Sequence, residues 1–163
     1  MNIAVLITGT ICSGKTTISE RLQKELNVKL INELNVSPTG VFGIKHAIKI
    51  NESKGIVLIE YAEILSIIDD INKHFEKIIV FLLNVSNKII FENLSIRKSQ
   101  NIGGDYLKVG QEYILCMKKD IEEQFNNLKN CYEKHILNIH SREDYDIAYN
   151  EIIIPVLSKY KNI

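Results

Sequence analysis

Short runs of unbroken apolar residues alternate along this chain with stretches in which apolar residues return every three or four positions. The first run, Ile3-Ala4-Val5-Leu6-Ile7, has no polar side to leave in water, which predicts a strand buried on both faces. Runs at 28–31, 56–59, 78–83 and 136–139 predict four more strands. From Lys15 onward Ile18, Leu22 and Leu26 share one helical face, with Glu20, Lys24 and Glu25 opposite. Helices are expected likewise at 41–50, 62–71 and 87–97. The clearest periodicity joins Tyr106, Val109, Tyr113, Met117, Ile121, Phe125, Leu128 and Tyr132, and predicts one long helix from about 106 to 134. A last helix is expected from about 143 to 160, kinked or split at Pro155. Ser37-Pro38-Thr39-Gly40 is turn punctuation, and residues 99–105, with Gly103-Gly104, read as a mobile segment. Strand and helix alternate throughout, so the expected class is α/β: three layers, α/β/α, around a five-stranded, mostly parallel sheet in one domain.

The junction of the first strand and first helix carries chemistry. Gly9-Thr10-Ile11-Cys12-Ser13-Gly14-Lys15-Thr16 fits the pattern GxxxxGK[ST]. The glycines let the backbone wrap closely around a phosphate, and successive N–H groups form an anion nest at the positive end of the following helix. Lys15 is placed to reach the terminal phosphates and the Thr16 hydroxyl to ligate Mg²⁺; Thr17 follows in the same turn. The expected ligands are therefore ATP and Mg²⁺ on residues 9–17. Glu60 closes the third strand beside this loop and is a second candidate magnesium ligand. Glu33 closes the second strand by the same logic and is placed to orient an acceptor hydroxyl or act as a base, with a plain surface glutamate as the alternative. Arg97 ends a helix just before Gly103-Gly104, where a cation suits a transition-state clamp; a macrodipole contact at the helix end is the alternative. Ser141-Arg142, after the fifth strand, is placed to flank the base of the nucleotide, Ser141 doubling as a helix N-cap.

Bulk properties narrow the class further. The 163 residues carry 20 basic and 20 acidic side chains, so no whole-protein field draws the chain to nucleic acid or to an anionic membrane. Arginine occurs only at positions 21, 97 and 142, which narrows the search for a phosphate clamp to very few side chains. Cys12, Cys116 and Cys131 show no metal-ligand spacing, and the expected compartment is a reducing one, the cytoplasm. No signal peptide and no membrane-spanning run is read.

Leu6-Ile7-Thr8-Gly9-Thr10 and Ser13-Gly14-Lys15-Thr16-Thr17-Ile18 resemble the opening of the small P-loop nucleoside and nucleotide kinases, and most of all the adenylate/cytidylate-kinase-like group that includes the nuclear-type adenylate kinases. The resemblance implies a P-loop NTPase fold over 1–163, with an acceptor-site segment at about 33–54 and a lid-like segment at about 97–110. It implies a phosphotransferase acting on a nucleotide or nucleoside. Ile56-Val57-Leu58-Ile59-Glu60-Tyr61 is similar to the acidic third strand of that group. Phe91 to Arg97 is similar to its lid-entry helix, with Asn93 where the group has the first of two arginines. Between the second and third strands the group grips a monophosphate with arginines; here Lys45 and Lys49 are the only cations before Lys54. That departure leaves a neutral acceptor open, and with it a nucleotide-dependent ATPase or assembly switch on a protein or RNA partner, or an ATP-binding homologue without turnover. A guanine-specific switch is not indicated, since Glu60-Tyr61-Ala62-Glu63 and Asn87-Lys88-Ile89-Ile90 do not fit DxxG and NKxD.

Overall fold

The computed structural model describes residues 1–51, 55–102 and 108–160. In chain order the elements are β1 (Ile3–Thr8), α1 (Lys15–Leu26), β2 (Lys29–Asn32), α2 (Gly40–Asn51) and β3 (Ile56–Glu60). A 3₁₀ turn (Ile64–Ile67) runs into α3 (Ile68–Ile71), followed by β4 (Lys77–Val85), α4 (Asn87–Ser99), α5 (Gln111–Asn126) and β5 (Glu133–Ile139). α6 (Glu143–Ala148) continues through a π-helical stretch (Tyr149–Ile153) into α7 (Ile154–Ser158). The five strands form one sheet in the order β2-β3-β1-β4-β5, and every pairing is parallel.

All six residues of β1 are buried, as its unbroken apolar run requires. Alternate side chains feed two cores. Val5, Ile7, Leu58, Ile79 and Phe81 pack with Ile18 and Leu22 of α1, with α4 and with the C-terminal helices. Leu6, Ile59 and Val80 pack on the other face with Ile44 and Ile48 of α2, with α3, and with Ile121 and Phe125 of α5. Helices therefore cover both faces, and the carboxyl ends of β1, β2 and β3 are left to frame a site. No helix among the described residues is long and apolar enough to cross a membrane.

Three expectations from periodicity are corrected. The long helix of 106–134 is α5 alone: Gly110 is extended (φ −81°, ψ 159°), and at the other end Asn126-Asn127 closes the helix into turns. Tyr132 kept the period because it is buried from the turn that follows, its hydroxyl donating to Asp69 at 3.2 Å. Residues 106 and 107 lie outside the described part, as do 103–105 of the expected mobile and lid-like segments. The fifth strand starts at Glu133 rather than 136; as an edge strand it carries polar residues, and His135 stacks on Phe81 with ring centroids 5.2 Å apart. The expected helix of 62–71 begins instead as a 3₁₀ turn, because Ser66 donates both its N–H and its hydroxyl to the Glu63 carbonyl, at 3.0 and 2.7 Å. At Pro155 the chain neither splits nor stops. Proline has no N–H for the preceding turn, and the wider π-helical turns ahead of it take up the mismatch.

At the opposite end of the sheet Glu133 gathers hydrogen bonds from Lys77 Nζ (2.7 Å), the Tyr160 hydroxyl (2.8 Å) and His135 Nε2 (3.1 Å). Burial pushes the carboxyl up, but these bonds overcome it and hold it at about 2 against an ordinary 4.5. A depressed carboxylate contributes stability above its unfolded value, lost as pH falls through the folded one. Wild type is therefore expected to exceed Glu133→Gln at pH 7 by up to about 3 kcal/mol, and the gap to close between pH 4.5 and 2. Thermal unfolding of both proteins across that range checks it.

Candidate functional site

The loop between β1 and α1 turns through left-handed conformations at Gly9 (φ 152°), Cys12 (φ 63°) and Gly14 (φ 85°). A Cβ on Gly9 would stand 2.8 Å from Ser13 Oγ and 3.1 Å from the Leu83 carbonyl oxygen, and one on Gly14 2.9 Å from the Tyr145 ring. Both positions therefore need glycine for space as well as for φ. Thr10 is tied to α5 through its hydroxyl, which donates to the Ile114 carbonyl at 3.3 Å. The Tyr145 hydroxyl donates to the Ser13 carbonyl at 3.0 Å, and Asn93 Nδ2 donates to the Cys12 carbonyl at 2.8 Å. Three separate elements thus hold the outside of the loop.

Lys15 opens α1 and is buried, its ammonium donating to the Thr10 carbonyl at 2.7 Å. Burial lowers its pKa to about 8, with Glu60 opposing that shift. Thr16 Oγ1 donates to Glu60 Oε2 at 3.4 Å, and Asn32 Nδ2 lies 3.5 Å from the same oxygen. The strands set this cluster: Glu60 is the register partner of Asn32 on β2 and of Ile7 on β1. Burial pushes the Glu60 carboxyl up, against the pull of Lys15 and its two hydrogen bonds. Thr8 Oγ1, Ser13 Oγ and Asn32 Oδ1 are buried with no hydrogen-bond partner among the described residues. Hard oxygens of Thr16 and Glu60 therefore meet within 3.4 Å, beside an Asn32 whose own oxygen has no partner among the described residues, and that pair suits magnesium held together with phosphate oxygens.

Two cavities open on either side of the loop. One, of about 350 Å³, is lined by Cys12, Gly14, Thr17, Arg97, Arg142 and Tyr145 among others. Arg97 and Arg142 come to it from α4 and from the β5–α6 connection. Arg142 is placed by a reciprocal cap: Asp144 accepts the His140 and Ser141 N–H groups at 2.7 Å each, and Ser141 Oγ accepts the Asp144 N–H at 3.3 Å. The other cavity, of about 460 Å³, is lined by Ile11, Glu33, Tyr61, Glu63, Lys108 and Tyr113 among others. Of the residues singled out in the sequence, the loop, Lys15, Thr16 and Glu60 form one cluster. Arg97, Arg142 and Thr17 stand on one side of it, Glu33 on the other.

Lys45 and Lys49 are not brought to Glu33. They line a third cavity between α2 and α3, where Lys45 pairs with Asp70 at 2.7 Å. Sequence reasoning missed Asn32, Tyr61, Glu63 and Tyr145. Glu63 had a signal, standing three residues past Glu60 where the chain turns out of β3; Tyr145 had one too, one helical turn beyond Arg142.

No protein-family model matches the chain, and no curated protein matches it by sequence. Solved structures do. Deoxyadenosine kinase from M. mycoides, with products dCMP and a flexible dCDP bound, is 18% identical over 96% of this chain and 98% of its own, with a TM-score of 0.64. Shikimate kinase from Acinetobacter baumannii, in complex with shikimate, is 12% identical over 96% and 93%, with a TM-score of 0.62. Shikimate kinase from Bacteroides thetaiotaomicron is 18% identical over 97% and 99%, with a TM-score of 0.60. At such identities the likeness is one of fold: the chain has the P-loop fold of nucleoside and small-molecule kinases.

Gly14→Ala tests the loop's geometry. The added methyl meets both an unfavourable φ, costing about 1–2 kcal/mol, and the Tyr145 ring. The unfolding midpoint of Gly14→Ala is expected to fall, with Gly14→Ala/Tyr145→Leu recovering only the steric part. Thermal melts of the three proteins check it.

Proposed function

We propose that this chain is an ATP-dependent kinase, working with Mg²⁺, that phosphorylates a hydroxyl of a small acceptor, a nucleoside in preference to a nucleotide. The observation that carries the reading is the pair of cavities on opposite sides of one phosphate loop, since transfer requires donor and acceptor held on either side of the moving phosphoryl group. Gly9, Thr10, Ile11, Cys12, Ser13, Gly14 and Thr17 wrap the phosphates. Arg142 flanks the base. Lys15 and Arg97 neutralise charge on the γ-phosphoryl group, and Thr16 and Glu60 hold magnesium, which when bound supplies further positive charge at the phosphate oxygens. Glu33 accepts the proton of the acceptor hydroxyl as its oxygen bonds to phosphorus and the bond to the β,γ-bridging oxygen breaks.

Charge on the acceptor side supports the choice of a nucleoside. Among the described residues, Glu33 and Glu63 line that cavity with one lysine, Lys108, and no arginine. Each phosphate charge about 5 Å from a carboxylate costs roughly 3 kcal/mol at an effective dielectric of 20. The M. mycoides and A. baumannii structures hold dCMP as a product and shikimate, and the shared fold supports a hydroxyl-bearing acceptor here.

Phosphate transfer from ATP should be measured over a panel of nucleosides, monophosphates and small hydroxylated metabolites. Turnover on nucleosides above monophosphates is expected. Lys15→Ala should abolish it, and Glu33→Gln should lower kcat by about a hundredfold or more. A preference for monophosphates overturns the uncharged acceptor; hydrolysis that appears only with a protein or RNA overturns the kinase in favour of an assembly ATPase. The Lys15 amine, held at about 8 by burial, adds a pH signature. Its charge is present below that value and lost above it, so nucleotide affinity should fall from pH 7.5 to 9.5 in wild type. The fall should flatten in Lys15→Arg, whose cation does not titrate. Equilibrium titration with a fluorescent nucleotide reads both.

A further inference from the structure

We propose that Asn93 is a positioning residue that holds the phosphate loop in its anion-receiving shape and couples that shape to engagement of Arg142. The inference rests on the nucleotide-site reading above. The side-chain amide of Asn93 bridges two parts of that site. Its Nδ2 donates to the Cys12 carbonyl at 2.8 Å, and its Oδ1 accepts from Arg142 Nη1 at 2.6 Å. The orientation is fixed by chemistry, because a backbone carbonyl only accepts and a guanidinium only donates. Cys12 and Arg142 line the same cavity.

The peptide unit explains why this matters. Carbonyl and N–H point in opposite directions across a planar trans peptide. Holding the Cys12 carbonyl on the α4 side and the Ser13 carbonyl on Tyr145 therefore turns the N–H groups of Ser13 and Gly14 away from those two tethers, that of Ser13 reaching the Thr10 carbonyl at 3.3 Å, the same oxygen that takes the Lys15 ammonium. Cys12 is the residue in most need of such a hold. It sits at φ 63° with a side chain, a conformation that persists only where the surroundings over-determine it. Arginine at position 93 would have no acceptor to offer Arg142. Asparagine serves both partners at once, so that movement of Arg142 onto a nucleotide base is felt at the Cys12 peptide. Glu92 gives Arg142 a second partner at 3.6 Å, which leaves the Asn93 bond as the tighter of the two.

Calorimetric binding of ATP–Mg and of inorganic tripolyphosphate to the full chain tests this. Asn93→Ala is expected to weaken both ligands about fivefold to tenfold, the worth of one lost hydrogen bond, with the acceptor KM unchanged. Asn93→Asp, which cannot donate to Cys12, should be weaker still. Arg142→Ala should weaken ATP in the wild-type background and distinctly less in Asn93→Ala. Tyr145→Phe, which keeps the ring over Gly14 and removes the hydroxyl that bonds the Ser13 carbonyl and also meets the Asn93 side chain, should weaken tripolyphosphate severalfold. Ser13 and Gly14 amide resonances should shift in ligand-free Asn93→Ala, a change that loss of general stability does not produce. Wild-type affinity for tripolyphosphate in a folded Asn93→Ala overturns the positioning role, and additive effects of Asn93→Ala and Arg142→Ala overturn the coupling. If wild type binds neither ligand, the nucleotide reading itself fails; if wild type binds both and Asn93→Ala binds them equally, only this inference does.

Discussion

The buried ammonium of Lys15 is the constraint on which the rest of the site depends. Burial, and after it the nearby Arg97, disfavours its charge, and among the described residues it donates to one carbonyl, that of Thr10, at 2.7 Å. Across the same space Glu60 is half-buried, and desolvation pushes its carboxyl up. Each raises the cost of the other's neutral form, yet among the described residues the two form no direct ion pair with each other. Two opposite groups desolvated side by side but left unjoined are an arrangement suited to a ligand carrying both signs. A polyphosphate with a divalent cation has that character, its anionic oxygens meeting Lys15 and its cation meeting Thr16 and Glu60. The unpartnered oxygens of Thr8, Ser13 and Asn32 fall in the same neighbourhood, so the unmet bonding is concentrated where the charges are.

Holding those groups apart is a task for the backbone, and the fold performs it with the sheet. Register places Glu60 beside both Ile7 and Asn32, so the carboxylate's position is fixed by strand pairing and not by a flexible loop. The phosphate loop itself has no ladder to hold it. It is instead fixed from outside, by Ile114 on Thr10, Asn93 on Cys12 and Tyr145 on Ser13. Two of these three contacts come from side chains at half-exposed helix positions, Asn93 and Tyr145. Their value lies in direction rather than in burial.

What the sequence showed and what it hid follow from the same division. β1 and α1 were legible because a doubly buried strand and an amphipathic helix each impose a period, and because GxxxxGK[ST] demands a particular backbone path. Glu60 and Glu33 were legible because strand ends in a parallel sheet gather at one edge. The extent of α5 was not, since period reports which side chains are buried and not whether the backbone between them is helical; Tyr132 is buried from a turn and kept the rhythm. Asn93 and Tyr145 were hidden for another reason. Their partners are backbone carbonyls, which carry no sequence signature, and the sequence separations of 81 and 132 residues leave no local pattern to find.

The acceptor side is where fold and charge pull together. α2 turns Ile44 and Ile48 into the core, and that choice of face sends Lys45 and Lys49 towards α3, where Asp70 is held to about 2 by hydrogen bonds from Lys45 and Lys73. Lys45 is thereby committed to Asp70, and Lys49 lines the same cavity between α2 and α3. Among the described residues, the polar lining shared with Glu33 is a second carboxylate, two tyrosines and Lys108. A cavity of that composition places negative charge beside an attacking hydroxyl, which favours drawing a proton from it and disfavours admitting a second phosphate. In the proposed kinase, neutralisation of the transferred group would fall to the other side of the loop, where Arg97 stands with Lys15 between the two cavities, and the few arginines of this chain would then serve one face of that loop.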